Sequence, residues 1–279
     1  MAVLVANAPV SYGAFELTVG IDDNVPDGGE VLDQVRAAGY AGIDLGPAGY
    51  LGTGTALVDG LARRGLCLAG GYLELPFSEP ERMEATFHGL DGLLDVFDSA
   101  RPSPAMFNPR PTLADAGSEA RRARPGQAAR DRSLGFDADA WKRFADGVEM
   151  AAGRCRERGY EPAFHHETGT HIEAVWEIEK VLELTSVGIC LDTGHLLFGQ
   201  GGSGPSDAGL GRPHQPPASK RRAPRGGRAD HRRGGPGWGD LATTGVLPPG
   251  GWGRRRGWRA RRGSRRILRL ACRRAGRPA

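Results

Sequence analysis

Two short stretches of the sequence combine imidazole and carboxylate side chains at spacings that suit metal binding or proton transfer. The first reads His165-His166-Glu167, and the second places Asp192 three residues before His195. Side chains alternate between the two faces of a strand, so His165 and Glu167 share one face while His166 takes the other. Imidazole nitrogen and carboxylate oxygen suit divalent ions such as Mn²⁺, Co²⁺ and Zn²⁺. The alternative interpretation is structural, with Asp192 capping a helix.

Apolar runs predict the strands that position these groups. Residues 188–191 are small or apolar, which is typical of a strand buried on both faces, and they end directly before Asp192. Residues 162–167 predict a similar strand that carries the two neighbouring histidines. Earlier strands are predicted at residues 3–6, 42–45, 66–69 and 105–108.

Helix signals lie between the predicted strands. Asp137 is predicted to be a helix N-cap, and Ser78 followed by Glu81 predicts a capping box. Residues 116–137 are rich in Arg, Gly and Ala, which predicts a mobile loop near the strand ends. The predicted helices cover residues 31–38, 55–64, 78–97, 137–158 and 173–184.

The alternation of these strands and helices predicts a parallel sheet with right-handed crossovers, in a barrel or a doubly wound fold. No Gly-x-Gly-x-x-Gly follows the first strand, which disfavours a nucleotide-binding doubly wound fold. We therefore predict an α/β fold of the (β/α)8 TIM-barrel type, incomplete at about six βα units. In a barrel the strand ends share one rim, where catalytic groups lie. The polar residues predicted at this rim are Asn7, Asp44, Glu74, Asn108, His165, His166, Glu167, Asp192 and His195.

The charge distribution divides the chain near residue 202. Residues 203–279 contain 19 Arg and one Lys against three Asp, a net charge of +17, while residues 1–202 carry −13. The second part is also rich in Gly and Pro, a composition typical of disorder. We predict a partial barrel over residues 1–202 and a basic, irregular, disordered tail over residues 203–279.

Several classes of protein are disfavoured by composition. The four cysteines have no paired spacing, which argues against a disulfide framework or a cysteine-based zinc site. No apolar run approaches the roughly 18 residues of a membrane span, and the first ten residues lack the basic start of a signal peptide. We expect a cytoplasmic protein with no membrane partner and no specific nucleic-acid partner; the oligomeric state is left open.

Three motifs carry a resemblance to a known family. They are Ala-Asn-Ala-Pro-Val-Ser-Tyr-Gly at residues 6–13, His-His-Glu-Thr-Gly-Thr at 165–170 and Cys-Leu-Asp-Thr-Gly-His at 190–195. With these motifs, residues 1–202 resemble the xylose-isomerase-like TIM-barrel superfamily of sugar isomerases and epimerases, and most of all its inosose dehydratases. The last motif is shared widely across the superfamily, whereas the first two point to the dehydratases.

The resemblance implies an activity and a set of site residues. The activity is metal-dependent dehydration of 2-keto-myo-inositol or a related inosose, with keto-sugar isomerisation or epimerisation as the alternative. Mn²⁺ or Co²⁺ is the expected ion, and Zn²⁺ and Mg²⁺ are alternatives. The expected metal ligands are Asp192 with Glu167 or His165; the expected catalytic groups are His195 and Glu167; the expected substrate contacts are Asn7, Tyr12, His166 and His195.

Residues 203–279 do not continue the family pattern. Related chains supply a His-x-His-x-Lys-Asp strand and a later Glu, and neither pattern is present here. When each codon is shifted by one nucleotide, residues 211–222 can be re-read as Asp-Arg-Ile-Asn-His-Leu-His-Leu-Lys-Asp-Val, which restores that strand. We therefore hypothesise a frameshift near Gly202, which leaves an impaired enzyme. The alternative is a non-catalytic chain whose arginines and three tail tryptophans bind nucleic acid non-specifically.

Overall fold

The computed structural model describes residues 4–101 and 108–200. Within these ranges six strands form a single sheet in chain order, and each strand is parallel to its neighbours. The predicted tail at 203–279 lies outside the described residues, so its extent and its disorder stay predictions. The strands are β1 (Ala6–Asn7), β2 (Gly42–Asp44), β3 (Cys67–Leu75), β4 (Arg110–Asp115), β5 (Ala163–His165) and β6 (Gly188–Cys190).

Helices connect the successive strands, as the alternating pattern predicts. They are α1 (Gly28–Ala37), α2 (Gly54–Arg64), α3 (Pro80–Ser99), α4 (Glu119–Arg122), α5 (Ala138–Glu157), α6 (Val175–Leu184) and α7 (Thr193–Phe198). The predicted cap of α5 is confirmed, because Asp137 Oδ1 accepts a 2.7 Å hydrogen bond from the Ala140 backbone N–H. The predicted capping box of α3 is wrong: the N-cap is Glu79, and its side chain makes no capping hydrogen bond.

The fourth strand differs from its predicted position at 105–108. Residues 105–107 lie outside the described ranges, and β4 runs from Arg110 to Asp115 with Pro111 as its second residue. Proline disfavours a strand assignment because it has no backbone N–H to donate. Asn108 therefore lies before the amino end of β4, and the residue at the carboxyl rim is Asp115.

The main core lies between the outer face of the sheet and the helices. Phe144 of α5 packs edge-on against Phe77 and Phe164, with ring centroids 5.6 Å apart in both pairs. All three rings are fully buried, as is Leu113 on β4. The inner face is more open, since Tyr72 on β3 is 40% exposed. Burial on the outer face fixes which side chains of each strand point inward.

Residues 116–137 are not the plain loop that composition predicts. They contain α4 and a 3-10 turn at Arg132–Leu134. Arg121 of α4 is 2% exposed and forms a bidentate ion pair with Glu177 of α6, with N–O distances of 2.8 and 3.1 Å. This buried pair attaches the segment to the helix layer.

The described part of the chain is an incomplete α/β barrel, as predicted. In a closed barrel every strand has two neighbours, whereas β1 pairs only with β2 and β6 only with β5 among the described residues. No helix in these ranges is both long enough and apolar enough to cross a membrane.

Candidate metal centre

Two adjacent strands deliver the chemically active groups to the same rim. His165 ends β5 and lies in register with Cys190, which ends β6. Asp192 follows two residues later, and its Oδ1 accepts a 2.9 Å hydrogen bond from the His195 backbone N–H at the start of α7. The capping interpretation of Asp192 is therefore correct, and capping leaves the second carboxylate oxygen, Oδ2, outside that hydrogen bond.

His165, Asp192 and His195 form a compact cluster at this rim. One ligand atom from each lies within 4.8 Å of the others, and the two imidazole rings have centroids 5.4 Å apart. Imidazole nitrogen and carboxylate oxygen are donor types that suit a first-row divalent ion. The buried Nδ1 of His165 has no hydrogen-bond partner in the described part of the chain. The residues present therefore fit a divalent metal.

Burial keeps His165 in the form that binds metals. Its pKa lies below the usual range, first because the ring is buried, although the negative charges of Glu167 and Asp192 oppose that effect. Neutral imidazole is the ligand form of histidine. The ring of His165 is therefore available to a cation without first losing a proton.

The orientation of His195 is set by the residue after the β5 motif. The Thr168 backbone N–H lies 3.3 Å from His195 Nδ1, and the Thr168 hydroxyl oxygen lies 3.0 Å from it. The backbone N–H can only donate, so Nδ1 is the acceptor and the neutral ring carries its proton on Nε2. In this tautomer Nε2–H is a hydrogen-bond donor, which suits a substrate contact.

His166 supports Asp192 from the opposite side of β5. Its side chain is fully buried, and its Nε2 accepts a 3.2 Å hydrogen bond from the Asp192 backbone N–H. Burial, helped by the neighbouring histidines, lowers the pKa of His166 to about 3. The structure thus uses His166 to hold the backbone of Asp192, and the substrate contact expected of it stays a prediction.

Glu167 lies beside the cluster and is held by a residue that the motifs do not include. Tyr72 Oη is 2.6 Å from Glu167 Oε2 and 2.9 Å from Glu74 Oε1. One phenol has one proton, so both contacts are hydrogen bonds only when one of the carboxyl groups is protonated. The pKa of Glu74 is raised, mainly by burial. The result is a hydrogen-bonded carboxyl–phenol–carboxyl group on the inner face.

Asn7 and Tyr12 lie at the end of β1. Asn7 Nδ2 donates to Tyr12 Oη at 3.5 Å, and its Oδ1 accepts from the Ala8 backbone N–H at 2.8 Å. Neither side chain hydrogen bonds to the metal cluster in the ranges that the structure describes. Their predicted substrate role stays a prediction, because four strands lie between β1 and β6 in the sheet order.

The inner face also contains Asp44, at the end of β2. Burial raises the pKa of Asp44 to about 6, and hydrogen bonds from the Gly46 and Leu45 backbone N–H groups oppose this shift. The charge of Asp44 in turn adds to burial in raising the pKa of the Cys190 thiol to about 12. Cys190 is therefore a neutral thiol at physiological pH and a poor nucleophile.

Comparison of sequences finds relatives with a known activity over part of the chain. No protein-family model matches. Inosose dehydratases from Bacillus anthracis and Lacticaseibacillus casei are 35% and 36% identical to the chain over 66 residues. The match covers 23% of this chain and 22% of each relative, so it spans about a fifth of their length.

Comparison of structures finds xylose isomerase-like barrels. A xylose isomerase domain containing protein from Salmonella typhimurium has a TM-score of 0.49 at 10% identity, with 72% of this chain and 65% of that chain covered. A probable 3-DHS dehydratase from Bacillus anthracis has a TM-score of 0.48 at 11% identity, with 74% and 68% covered. The predicted resemblance to inosose dehydratases is confirmed over those 66 residues.

Proposed function

We propose that the site belongs to a metal-dependent dehydratase of 2-keto-myo-inositol or a related inosose. The observation that carries the proposal is the cluster of His165, Asp192 and His195, in a chain that is 35% identical to inosose dehydratases over 66 residues. A rim at the carboxyl ends of parallel strands is where barrel enzymes carry their active sites.

Asp192 with His165 or Glu167 would hold the divalent ion, and His195, whose Nε2 carries a proton, would contact the substrate. Mn²⁺ and Co²⁺ suit this mixed nitrogen and oxygen set, and Zn²⁺ and Mg²⁺ are alternatives. When bound, the ion supplies Lewis-acid stabilisation of negative charge on the ketone oxygen and its neighbouring hydroxyl.

Dehydration needs a base and an acid, and the rim has a group for each. Glu167, positioned by Tyr72, accepts the proton next to the ketone. His195 donates its Nε2 proton to the departing hydroxyl, which leaves as water while the carbon–carbon double bond forms. Asn7, Tyr12 and His166 are the proposed polar contacts to the polyol.

Interconversion of keto-sugars is the second candidate. It begins with the same removal of a proton next to a ketone and differs in where the proton returns. The observation that favours it is that Glu167 and His195 are two separate proton-transfer groups beside the same cluster, since His195 contacts Thr168 while Glu167 contacts Tyr72. Such a pair is able to move a proton between neighbouring carbons.

The catalytic test compares the present chain with a frame-corrected chain, in which the reading frame is shifted by one nucleotide after Gly202. With Mn²⁺, we expect the frame-corrected chain to form the unsaturated ketone from 2-keto-myo-inositol, measured by its ultraviolet absorbance. We expect negligible turnover from the present chain, because two strand edges stay unpaired in the described part. Robust turnover by the present chain would refute the impairment, and sugar interconversion without water loss would favour the second candidate.

A further inference from the structure

Arg122, at the end of α4, lies at the same rim as the proposed metal site, between the loops that follow β4 and β5. Its Nη1 donates a 2.7 Å hydrogen bond to the carbonyl of Ala116, the first residue after β4. Its stem lies beside Gly169 in the loop after β5, where an added Cβ would be 3.7 Å from Arg122 Cγ. The side chain is therefore held at the rim although the residue is exposed to solvent.

Two glycines leave room for this side chain. Gly117 and Gly169 have φ angles of 65° and 84°, which residues with a side chain rarely adopt. A Cβ added to Gly117 would be 3.4 Å from Arg122 Nη1. Neither glycine therefore places a side chain against the guanidinium group.

Most of the guanidinium group is without a partner. Arg122 makes no ion pair in the ranges that the structure describes, and its Nη2 and Nε make no hydrogen bond there. The preceding residue, Arg121, instead pairs with Glu177. Arg122 thus keeps hydrogen-bond donors available at the rim.

Glu74 on β3 is the carboxyl group nearby. Its pKa is raised mainly by burial, and the charge of Arg122 opposes that shift, yet the two side chains form no ion pair. Oε1 of Glu74 lies 2.9 Å from Tyr72 Oη, whereas Oε2 makes no hydrogen bond in the described part of the chain. Unused donors of an arginine therefore lie near an unused acceptor of a glutamate, with space between them.

We propose that Arg122 and Glu74 form a diol clamp, which binds two neighbouring hydroxyl groups of a neutral polyol. A hydroxyl group both donates and accepts hydrogen bonds. One hydroxyl of the pair donates to Glu74 Oε2, and its neighbour accepts from Arg122. The inference rests on the proposed function, which supplies the polyol as the class of substrate.

The position of the diol clamp suits the end of the ring away from the ketone. Glu74 is linked through Tyr72 to Glu167, the proposed base. The metal cluster lies beyond Glu167, on β5 and after β6. A polyol whose ketone faces the cluster therefore extends past the base towards Arg122 and Glu74.

The charges around the diol clamp select against an anionic ligand. After burial, the negative charges of Glu167 and Asp115 also raise the pKa of Glu74, so three carboxyl groups surround one arginine. A phosphate or carboxylate group on the ligand would meet like charges there, whereas a hydroxyl group would not. We therefore expect a neutral polyol to bind in preference to a sugar phosphate or a sugar acid.

Arginine footprinting of the full chain tests the diol clamp at the residue itself. Phenylglyoxal modifies accessible arginines, and mass spectrometry gives the rate at Arg122 separately from the arginines of residues 203–279. The ligands are 2-keto-myo-inositol and myo-inositol 1-phosphate, each titrated without metal and with Mn²⁺. Arg124, which is also exposed, is the internal control.

The variant for this experiment is Glu74→Gln, which removes the charge of the diol clamp and keeps the size of the side chain. Glu81→Gln, in the exposed first turn of α3, is the matched control. In the unmodified chain we expect the saturating ketone to slow labelling of Arg122 by at least about threefold. Labelling of Arg124 should not change, and the phosphate should protect Arg122 only at higher concentration.

In Glu74→Gln, the ketone concentration for half protection should rise by about tenfold, because a hydrogen bond to a charged group is lost. The phosphate concentration should fall, and Glu81→Gln should match the unmodified chain. Three results would each overturn the diol clamp: no protection of Arg122 by the ketone, better protection by the phosphate in the unmodified chain, or equal ketone protection in Glu74→Gln. Protection of Arg122 without turnover by the frame-corrected chain would support the diol clamp and contradict the proposed function.

Discussion

Tyr72 connects two carboxylates that the sequence separates widely. Its hydroxyl lies 2.6 Å from Glu167, 95 positions away along the chain, and 2.9 Å from Glu74. This arrangement holds Glu167 on the inner face next to His165, whose ring lies edge-on to Tyr72 with centroids 5.9 Å apart. The phenol therefore sets the position of the proposed base.

Replacing Tyr72 with Phe in the frame-corrected chain tests that role. We expect turnover to fall by about 10- to 100-fold, while Mn²⁺ affinity changes little because His165 and Asp192 are untouched. Tyr50→Phe is the control, since its hydroxyl donates to the Pro26 carbonyl away from the rim. Unchanged turnover in Tyr72→Phe would show that Glu167 needs no positioning by the phenol.

Asp44 predicts a pH dependence of stability. Its pKa rises from about 4 in an unfolded chain to about 6 in the folded protein. Between these values the folded state binds more protons, so stability falls as the pH rises through this window and stays lower above it. Asp44→Asn should remove this fall and raise the free energy of unfolding at pH 8 by about 3 kcal/mol.

Urea unfolding at pH 4 and pH 8 in about 0.5 M NaCl measures this effect, because the salt screens the basic segment. Asp59→Asn on the exposed side of α2 is the control and should leave the pH profile unchanged. A profile for Asp44→Asn that matches the unmodified chain would mean that Asp44 is not buried as the structure has it.

Individual site residues were predictable only where local periodicity decides them. The alternation of side chains along a strand placed His165 and Glu167 on one face and His166 on the other. The contacts of Tyr72 with Glu167, and of His166 with the Asp192 backbone, require the register of different strands. No local pattern contains that register, so the role of Tyr72 could not be predicted from the sequence.

At the level of elements, the buried pair of Arg121 and Glu177 decides how residues 116–137 attach. Glu177 also accepts backbone hydrogen bonds from Glu173 and Ala174, at 2.9 and 2.7 Å. Removing one member of a buried pair leaves an uncompensated charge, whereas replacing both with apolar groups costs far less.

Glu177→Gln should therefore lower the free energy of unfolding by about 3–5 kcal/mol, measured by urea denaturation. The double variant Arg121→Met/Glu177→Leu should lose clearly less than the sum of its single variants. As a control, Lys180→Met removes an exposed pair with Glu183 and should change stability by less than about 1 kcal/mol. Additive losses in the double variant would show that the two side chains do not interact.

The elements themselves were largely predictable, because apolar runs and helix periodicity are local signals. The errors have physical causes. β4 was not predicted at its true position because it contains Pro111, and a proline seldom lies within a strand. α4 was predicted as loop because its segment is rich in arginine. The burial of Arg121 depends on a partner 56 positions later, which no local pattern shows. Ser78 and Glu81 have the spacing of a capping box, yet the helix begins one residue later than that box requires.

For the whole molecule, we propose that a frameshift near Gly202 replaced the last part of the barrel. The proposal rests on the charge change at residue 203 and on the motif recovered from residues 211–222. Sequencing the gene checks it: the codons after Gly202 should encode His-Leu-His-Leu-Lys-Asp in the shifted frame. If the codons do not encode these residues in that frame, the frameshift proposal is contradicted.

The central claim is that the rim formed by His165, Asp192 and His195 binds a divalent cation. Mn²⁺ binding to the full chain, measured by the electron paramagnetic resonance signal of free Mn²⁺, tests it most directly. Asp192→Asn keeps an oxygen for the α7 cap while removing the charge, and Asp59→Asn is the control. We predict weak binding that falls by about tenfold or more in Asp192→Asn and is unchanged in Asp59→Asn. Equal affinity in the unmodified chain and Asp192→Asn would contradict the account.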